Sequence, residues 1–188
     1  MDSDALFTER LVLRPPDRGD LPFLLDCMNT PAVMRHLGGE IRSAAEVEDG
    51  LEADIAAFAD DTYRHWTIWL RGEDRRIGRC GLFSVRSQAA PRPLRGQREI
   101  GWTLAEDFWN MGYASEAARA VLAYAFDTLH LPVIYAQTSD SNHASTRMIA
   151  RLGFVARTGL GYDDPDYPPR DNPTTVWSLA AGDFHDRG

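Results

Sequence analysis

Polar and apolar positions alternate from Leu6 to Arg14, with Leu11 and Leu13 on one face, and this period of two predicts a β-strand closed by Pro15-Pro16. The period then lengthens. A helix is expected from about Asp20 through Cys27, and Asn29-Thr30-Pro31 breaks the chain before a short helical turn ending at Gly38-Gly39. Ser43 and Glu46 have the spacing of a capping box at the head of a longer helix that runs to about Ala59. Strands follow over Arg64 to Leu70 and Arg76 to Val85, joined by the polar turn Gly72-Glu73-Asp74. Residues Gln88 to Gln97 hold two prolines and two arginines and read as a loop, and Glu99 to Leu104 reads as a strand.

In the second half Ala117, Val121, Leu122, Ala125 and Leu129 recur near a period of 3.6, which predicts a helix from Ala114 stopped by Pro132. Val133 to Gln137 is expected as a buried strand. Ala144, Met148, Ile149 and Leu152 mark a helix ended by Gly153. Phe154 to Leu160 and Thr174 to Leu179 complete the strands, on either side of the polar, proline-rich stretch "YDDPDYPPRDNP". The order βααβββαβαββ describes a mixed α/β fold in one domain over residues 1–188, with its core at about 6–180.

Composition narrows the class. The 188 residues are 44% hydrophobic and 26% charged, which is globular usage, and no apolar run is long enough to cross a membrane. The first residues are acidic and polar, unlike a secretory signal, so a cytoplasmic protein without a membrane partner is expected. Cys27 and Cys80 are too few for a disulfide framework or a zinc site, and the five histidines lack metal spacing, so no metal is implied. A net charge of −8 argues against a nucleic-acid partner and leaves room for a cationic substrate. Every basic residue apart from histidine is arginine, which carries no chemical inference.

One stretch asks for a chemical reason. In "FWNMGYASEAARAVLAYAF" an aromatic-flanked turn centred on Gly112 opens directly into a helix. The first turn of a helix offers unpaired N–H groups and the positive end of its dipole. A glycine there lets a phosphate approach the backbone, so Gly112 and Ala114 read as a pyrophosphate cradle; the plainer reading is an ordinary turn.

Four segments in register resemble the GNAT superfamily of acetyl-CoA-dependent N-acyltransferases, and within it the RimJ/RimL-like branch. They are "TERLVLRPPDRGDLPFLLDCMNTPAVMRHLGG", "EIGWTL", "WNMGYASEA" and "NHASTRMIARLGF". The likeness spans roughly Leu6 to Leu179. It implies the GNAT fold, a central mixed and mostly antiparallel sheet flanked by helices. It also implies an acetyl-CoA cosubstrate whose pyrophosphate lies on backbone amides of Asn110, Met111, Gly112, Tyr113, Ala114 and Ser115. The pantetheine arm would pair like an added strand with Trp102, Thr103 and Leu104, and an N–H of that strand would polarise the thioester carbonyl. Three positions depart from the family pattern. Trp109 stands where many members carry Gln or Arg, Asn110 replaces the first loop glycine, and Ile149 occupies the place of a tyrosine that often protonates the leaving thiolate.

The resemblance implies transfer of an acetyl group to a primary amine, either a peptide N-terminus or a small molecule, within a ternary complex. A lysine-like amine costs roughly 4–5 kcal/mol to deprotonate at pH 7 and an α-amine about 1 kcal/mol, so an α-amine is the easier acceptor. Glu99 is the candidate base, directly or through water; its other reading is an ion pair with an arginine across the sheet. Ser145 matches the serine of the N-x-x-S motif and is the candidate acid for the thiolate, or else a helix-start serine bonding local backbone. Asn142 contacts the pantetheine, caps the helix, or does both. His143 reads as exposed and idle. Asp163, Asp164 and Asp166 either attract a cationic acceptor or form a solvated acidic loop. Two other classes stand beside the enzyme: a non-catalytic acyl-CoA-binding or regulatory protein of the same fold, and a dinucleotide-binding enzyme, which the lack of a G-x-G-x-x-G sets aside. A homodimer is left open.

Overall fold

The computed structural model describes residues 4–59 and 64–185. Eight strands form one mixed sheet in the order β1-β2-β3-β4-β5-β6-β8-β7, with helices flanking it. The strands are β1 Leu6–Phe7, β2 Leu11–Arg14, β3 Arg64–Leu70, β4 Arg76–Ser84, β5 Arg98–Leu104, β6 Val133–Ser139, β7 Val155–Ala156 and β8 Thr174–Ala180. The helices are α1 Leu21–Phe23, α2 Pro31–Met34, α3 Ala44–Ala59, α4 Tyr113–Ala123, α5 His143–Arg151 and α6 Ala181–His185. Both α1 and α4 continue into one π-helical turn, Leu24–Met28 and Tyr124–Thr128. The chain divides into two compact units, residues 1–82 with 102–121, and residues 83–101 with 122–188.

The first unit is built on an antiparallel ladder from β1 to β4. Leu11, Leu13, Trp66, Ile68 and Ile77 are wholly buried in it, each such side chain contributing about 1.5–3 kcal/mol. Phe58 of α3 meets Trp66 edge-on at 5.4 Å, which ties the long helix to the sheet. The box at the head of α3 is present as expected: Ser43 N–H donates to Glu46 Oε2 at 2.8 Å and Glu46 N–H donates to Ser43 Oγ at 3.3 Å. A second box was not foreseen. Asp17 and Asp20 cap the turn before α1, and Asp20 is buried, accepting Thr67 Oγ1 and Arg76 Nε at 2.6 Å each.

In the second unit β6 pairs antiparallel with β8, and β8 with β7. Ile134, Ala136, Ile149 and Leu179 form its core. The loop after β4 has a small core of its own, where Ala90 and Leu94 pack with Val85 and Val176. Its Arg95 closes it by donating to the carbonyls of Ala90 and Gln88.

Three expectations are corrected. Residues 6–14 are a tight hairpin rather than one strand, because the Thr8 hydroxyl accepts the Leu11 N–H at 2.9 Å and turns the chain over Glu9-Arg10. Phe154 to Leu160 is a strand only at β7, after which Thr158-Gly159 enters a 3₁₀ turn. The "YDDPDYPPRDNP" stretch is not wholly solvated: Asp164 and Asp171 are buried, and Asn172 brackets the Asp164 backbone with bonds of 2.9 and 3.0 Å.

Candidate active site

The turn ahead of α4 is held in a conformation that its sequence selects. Asn110 lies at φ 61° and Gly112 at φ 82°. Asparagine is among the few side chains that tolerate the left-handed region, which accounts for its standing in place of a glycine. A side chain on Gly112 would be strained by φ alone, and its Cβ would also lie 3.3 Å from Arg10 Nη2. The first ladder bond of α4 runs from Glu116 N–H to the Gly112 carbonyl at 3.1 Å, so the N–H groups of Tyr113, Ala114 and Ser115 precede the ladder. This is the amide arrangement a pyrophosphate requires, and it fits the group that the sequence reading placed there.

Two braces fix the turn. The Trp109 indole donates to the Leu104 carbonyl at 2.8 Å, joining the turn to the end of β5. The Leu104 carbonyl thus serves an internal partner. The second brace is Glu116. It accepts Thr8 Oγ1 at 2.6 Å, the Arg10 N–H at 2.8 Å and Arg10 Nε at 2.7 Å, while Arg10 Nη1 reaches the Met111 carbonyl at 3.0 Å. The Arg10 guanidinium also covers the Tyr113 ring at 4.5 Å. Partial burial pushes the Glu116 pKa up, but the bonds from Thr8 and Arg10 outweigh it and hold the carboxyl below its usual range. Thr8, Arg10 and Glu116 were read in the sequence only as parts of two separate motifs. Trp102 and Thr103 lie half-buried on β5, and a Cβ on Gly78 of β4 would come within 2.4 Å of the Thr103 carbonyl oxygen.

Glu99 belongs to the second unit. It stands opposite Tyr135 in the parallel pairing of β5 with β6. Among the described residues its partner is neither an arginine nor any other cation. Gln137 Nε2 donates to Glu99 Oε2 at 2.5 Å, and Tyr162 Oη donates to Gln137 Oε1 at 2.9 Å. Burial drives the Glu99 pKa above the usual carboxylate value, with the Gln137 bond opposing it. Sequence reasoning missed Gln137 and Tyr162. The available signal was the alternation of β6, which puts Tyr135 and Gln137 on the face opposite buried Ile134 and Ala136.

At α5 the Asn142 side chain caps the helix by accepting the Ser145 N–H at 3.2 Å. Ser145 is half-buried, and His143 is exposed, as its place in the first helical turn predicts. Asn142 and Ser145 are thus joined to each other, and neither shares a hydrogen bond with Glu99 among the described residues. Ile149 is 1% exposed, a core residue where a tyrosine was the family expectation.

The model of the acetyltransferase (GNAT) domain matches residues 10–155. The chain belongs to the GNAT acetyltransferase family. It is 26% identical over 152 residues to the uncharacterized N-acetyltransferase p20 of Bacillus licheniformis, covering 80% of this chain and 82% of that protein. The crystal structure of the acetyltransferase from Agrobacterium tumefaciens superposes with a TM-score of 0.74 at 28% identity, over 95% of each chain. RimL, the ribosomal L7/L12 alpha-N-protein acetyltransferase solved in complex with coenzyme A, gives 0.76 at 16% identity, over 94% of this chain and 98% of its own. In this GNAT chain the eight-stranded mixed sheet is therefore the acetyltransferase sheet, and the activity class is N-acetyl transfer.

Proposed function

We propose that the protein transfers an acetyl group from acetyl-CoA directly to a primary amine, either the α-amine of a peptide or protein N-terminus or a small-molecule amine. One observation carries this reading: Glu99 is a largely buried carboxylate held by a neutral amide, with its pKa raised. A carboxylate paired with arginine is a poor base, whereas one whose proton affinity is raised toward neutrality accepts a proton more readily. In the reaction the amine nitrogen bonds to the thioester carbonyl carbon and the C–S bond breaks. Glu99 takes the ammonium proton, directly or through water; after attack the nitrogen gives up its second proton, which the Ser145 hydroxyl relays through water to the departing thiolate, so that the serine ends as it began. Amides of Gly112 to Ser115 hold the pyrophosphate, where each charge-assisted bond contributes about 1.5–3 kcal/mol, so a few give micromolar affinity. The N–H groups of Trp102 and Thr103 carry the pantetheine arm and the carbonyl oxygen. A basicity limited to one carboxylate favours an α-amine over a lysine-like amine.

The test is thiol release from acetyl-CoA with a panel of N-terminal peptides, polyamines and aminoglycosides. Release is expected with α-amines first. Tight CoA binding with no release from any amine would overturn the transfer reading and leave an acyl-CoA-binding protein.

A further inference from the structure

Glu99, Gln137 and Tyr162 form a chain in which every donor points the same way. An ionised carboxylate can only accept, so Gln137 must present its NH₂ to Glu99. The amide oxygen then faces Tyr162, whose hydroxyl must donate to it. That leaves the Tyr162 lone pairs to accept, with the Ser87 hydroxyl beside them. The direction of the whole chain is therefore fixed by the charge at its end.

We infer that Gln137 and Tyr162 are positioning residues for Glu99: the Tyr162 hydroxyl braces the Gln137 amide in the orientation the carboxylate selects, and the amide holds the carboxylate as a proton acceptor. The inference rests on the reading of Glu99 as the base. Three features make the chain rigid. The register of β5 on β6 places Tyr135 opposite Glu99 and so fixes Gln137 two residues further along the same face. The backbone of Tyr162 is bonded in both directions to Thr174 of β8, at 3.2 and 2.7 Å. Its ring packs on the buried cluster of Val85, Ala90, Leu94 and Val176. Burial, Asp164 and Glu99 raise the Tyr162 pKa to about 12, so it remains a donor throughout the working range.

The groups around the carboxylate come from four segments. Tyr135 and Gln137 lie on β6, Tyr162 with Asp164 and Tyr167 behind it lies on the 161–173 segment, and Ser87 lies on the loop after β4. Arg98 precedes Glu99 on β5 and gives its Nη1 to Ser84 Oγ at 3.3 Å. None of these groups supplies Glu99 with a cation, so the Gln137 amide is what favours its charged form.

The experiment titrates the Glu99 carboxyl by carbon-detected NMR of glutamate-labelled protein, with Glu99→Gln for assignment, beside the pH profile of kcat/KM. Tyr162→Phe keeps the ring and its packing and removes only the hydroxyl that braces the amide. It is expected to raise the Glu99 midpoint by about half a unit to one unit, and Gln137→Leu is expected to raise it further. The acidic limb of kcat/KM should move up by the same amount, with activity recovering at higher pH. An unmoved midpoint in folded Tyr162→Phe protein overturns the inference, because a merely structural role for the ring predicts that result. A shifted midpoint in a protein that acetylates no amine supports the chain and refutes the transfer reading, so the two failures are distinct.

Discussion

A glycine at position 112 is imposed by a φ of 82° and by Arg10 lying beside the Cβ direction. Gly112→Asp adds strain, bulk and negative charge where a pyrophosphate would rest. It is expected to abolish CoA binding by calorimetry while the far-UV spectrum stays that of a folded protein; unchanged affinity would remove the cradle from the site. Ser145 offers a similarly clean substitution. The cap of α5 comes from the Asn142 side chain, and Ser145 contributes to it only a backbone N–H. Ser145→Ala therefore leaves stability nearly unchanged. If the hydroxyl protonates the thiolate, kcat falls by about 10²–10⁴ with little change in KM for acetyl-CoA. A loss below tenfold would return Ser145 to a structural role.

Elements explain why related charges in one segment have different fates. Asp163 and Asp166 are exposed, while Asp164 is 5% exposed and accepts the Asp166 N–H at 3.1 Å within a turn that Asn172 closes. Asp164→Ala is expected to cost about 0.5–1.5 kcal/mol in urea unfolding, because the Asp166 N–H loses its acceptor while the Asn172 bonds to the Asp164 backbone persist, whereas Asp163→Asn and Asp166→Asn should cost little. Equal costs at all three positions would contradict the buried bracket. The sequence could not separate these aspartates, since the order of Asp and Pro reports polarity but not which carboxylate folds inward. The same limit hid the hairpin at Thr8, where Thr, Glu and Arg fit the polar places of a strand as well as those of a turn. Elements set by local signals were legible: the box at Ser43 and Glu46, the strand at Arg64–Leu70 and the glycine turn before α4. Pairings between distant segments were not. Glu116 with Thr8 is separated by 108 residues and Gln137 with Glu99 by 38, and no period in a sequence encodes such contacts.

At the scale of the whole molecule, stability should depend on acidity through buried titratable groups in each unit. His65 of β3 is held by Asp54 at 3.2 Å, with Arg79 ion-paired to the same carboxylate at 2.5 Å. Burial first, and then the Arg79 charge, lower its pKa from 6.5 to about 4, against the opposing pull of Asp54. The unfolded chain therefore binds more protons at His65 than the folded one throughout that window, and stability rises with pH across it. The contribution is complete above about pH 6.5 and is lost as pH falls toward 4, up to about 3 kcal/mol in total. Glu99 has the opposite sign. Its raised pKa makes the folded state bind the extra proton, so its contribution falls as pH rises above the ordinary glutamate value. The wild-type curve sums both terms with those of every exposed carboxylate, and only a difference can isolate one residue. His65→Gln keeps a neutral side chain able to donate to Asp54 and cannot gain a charge. Urea unfolding of both proteins from pH 7 to pH 4 should show the variant less stable at neutral pH and the gap narrowing as pH falls. A gap that stays constant over that range would mean that His65 titrates alike in the folded and unfolded states, and that burial and the Arg79 charge do not hold it neutral.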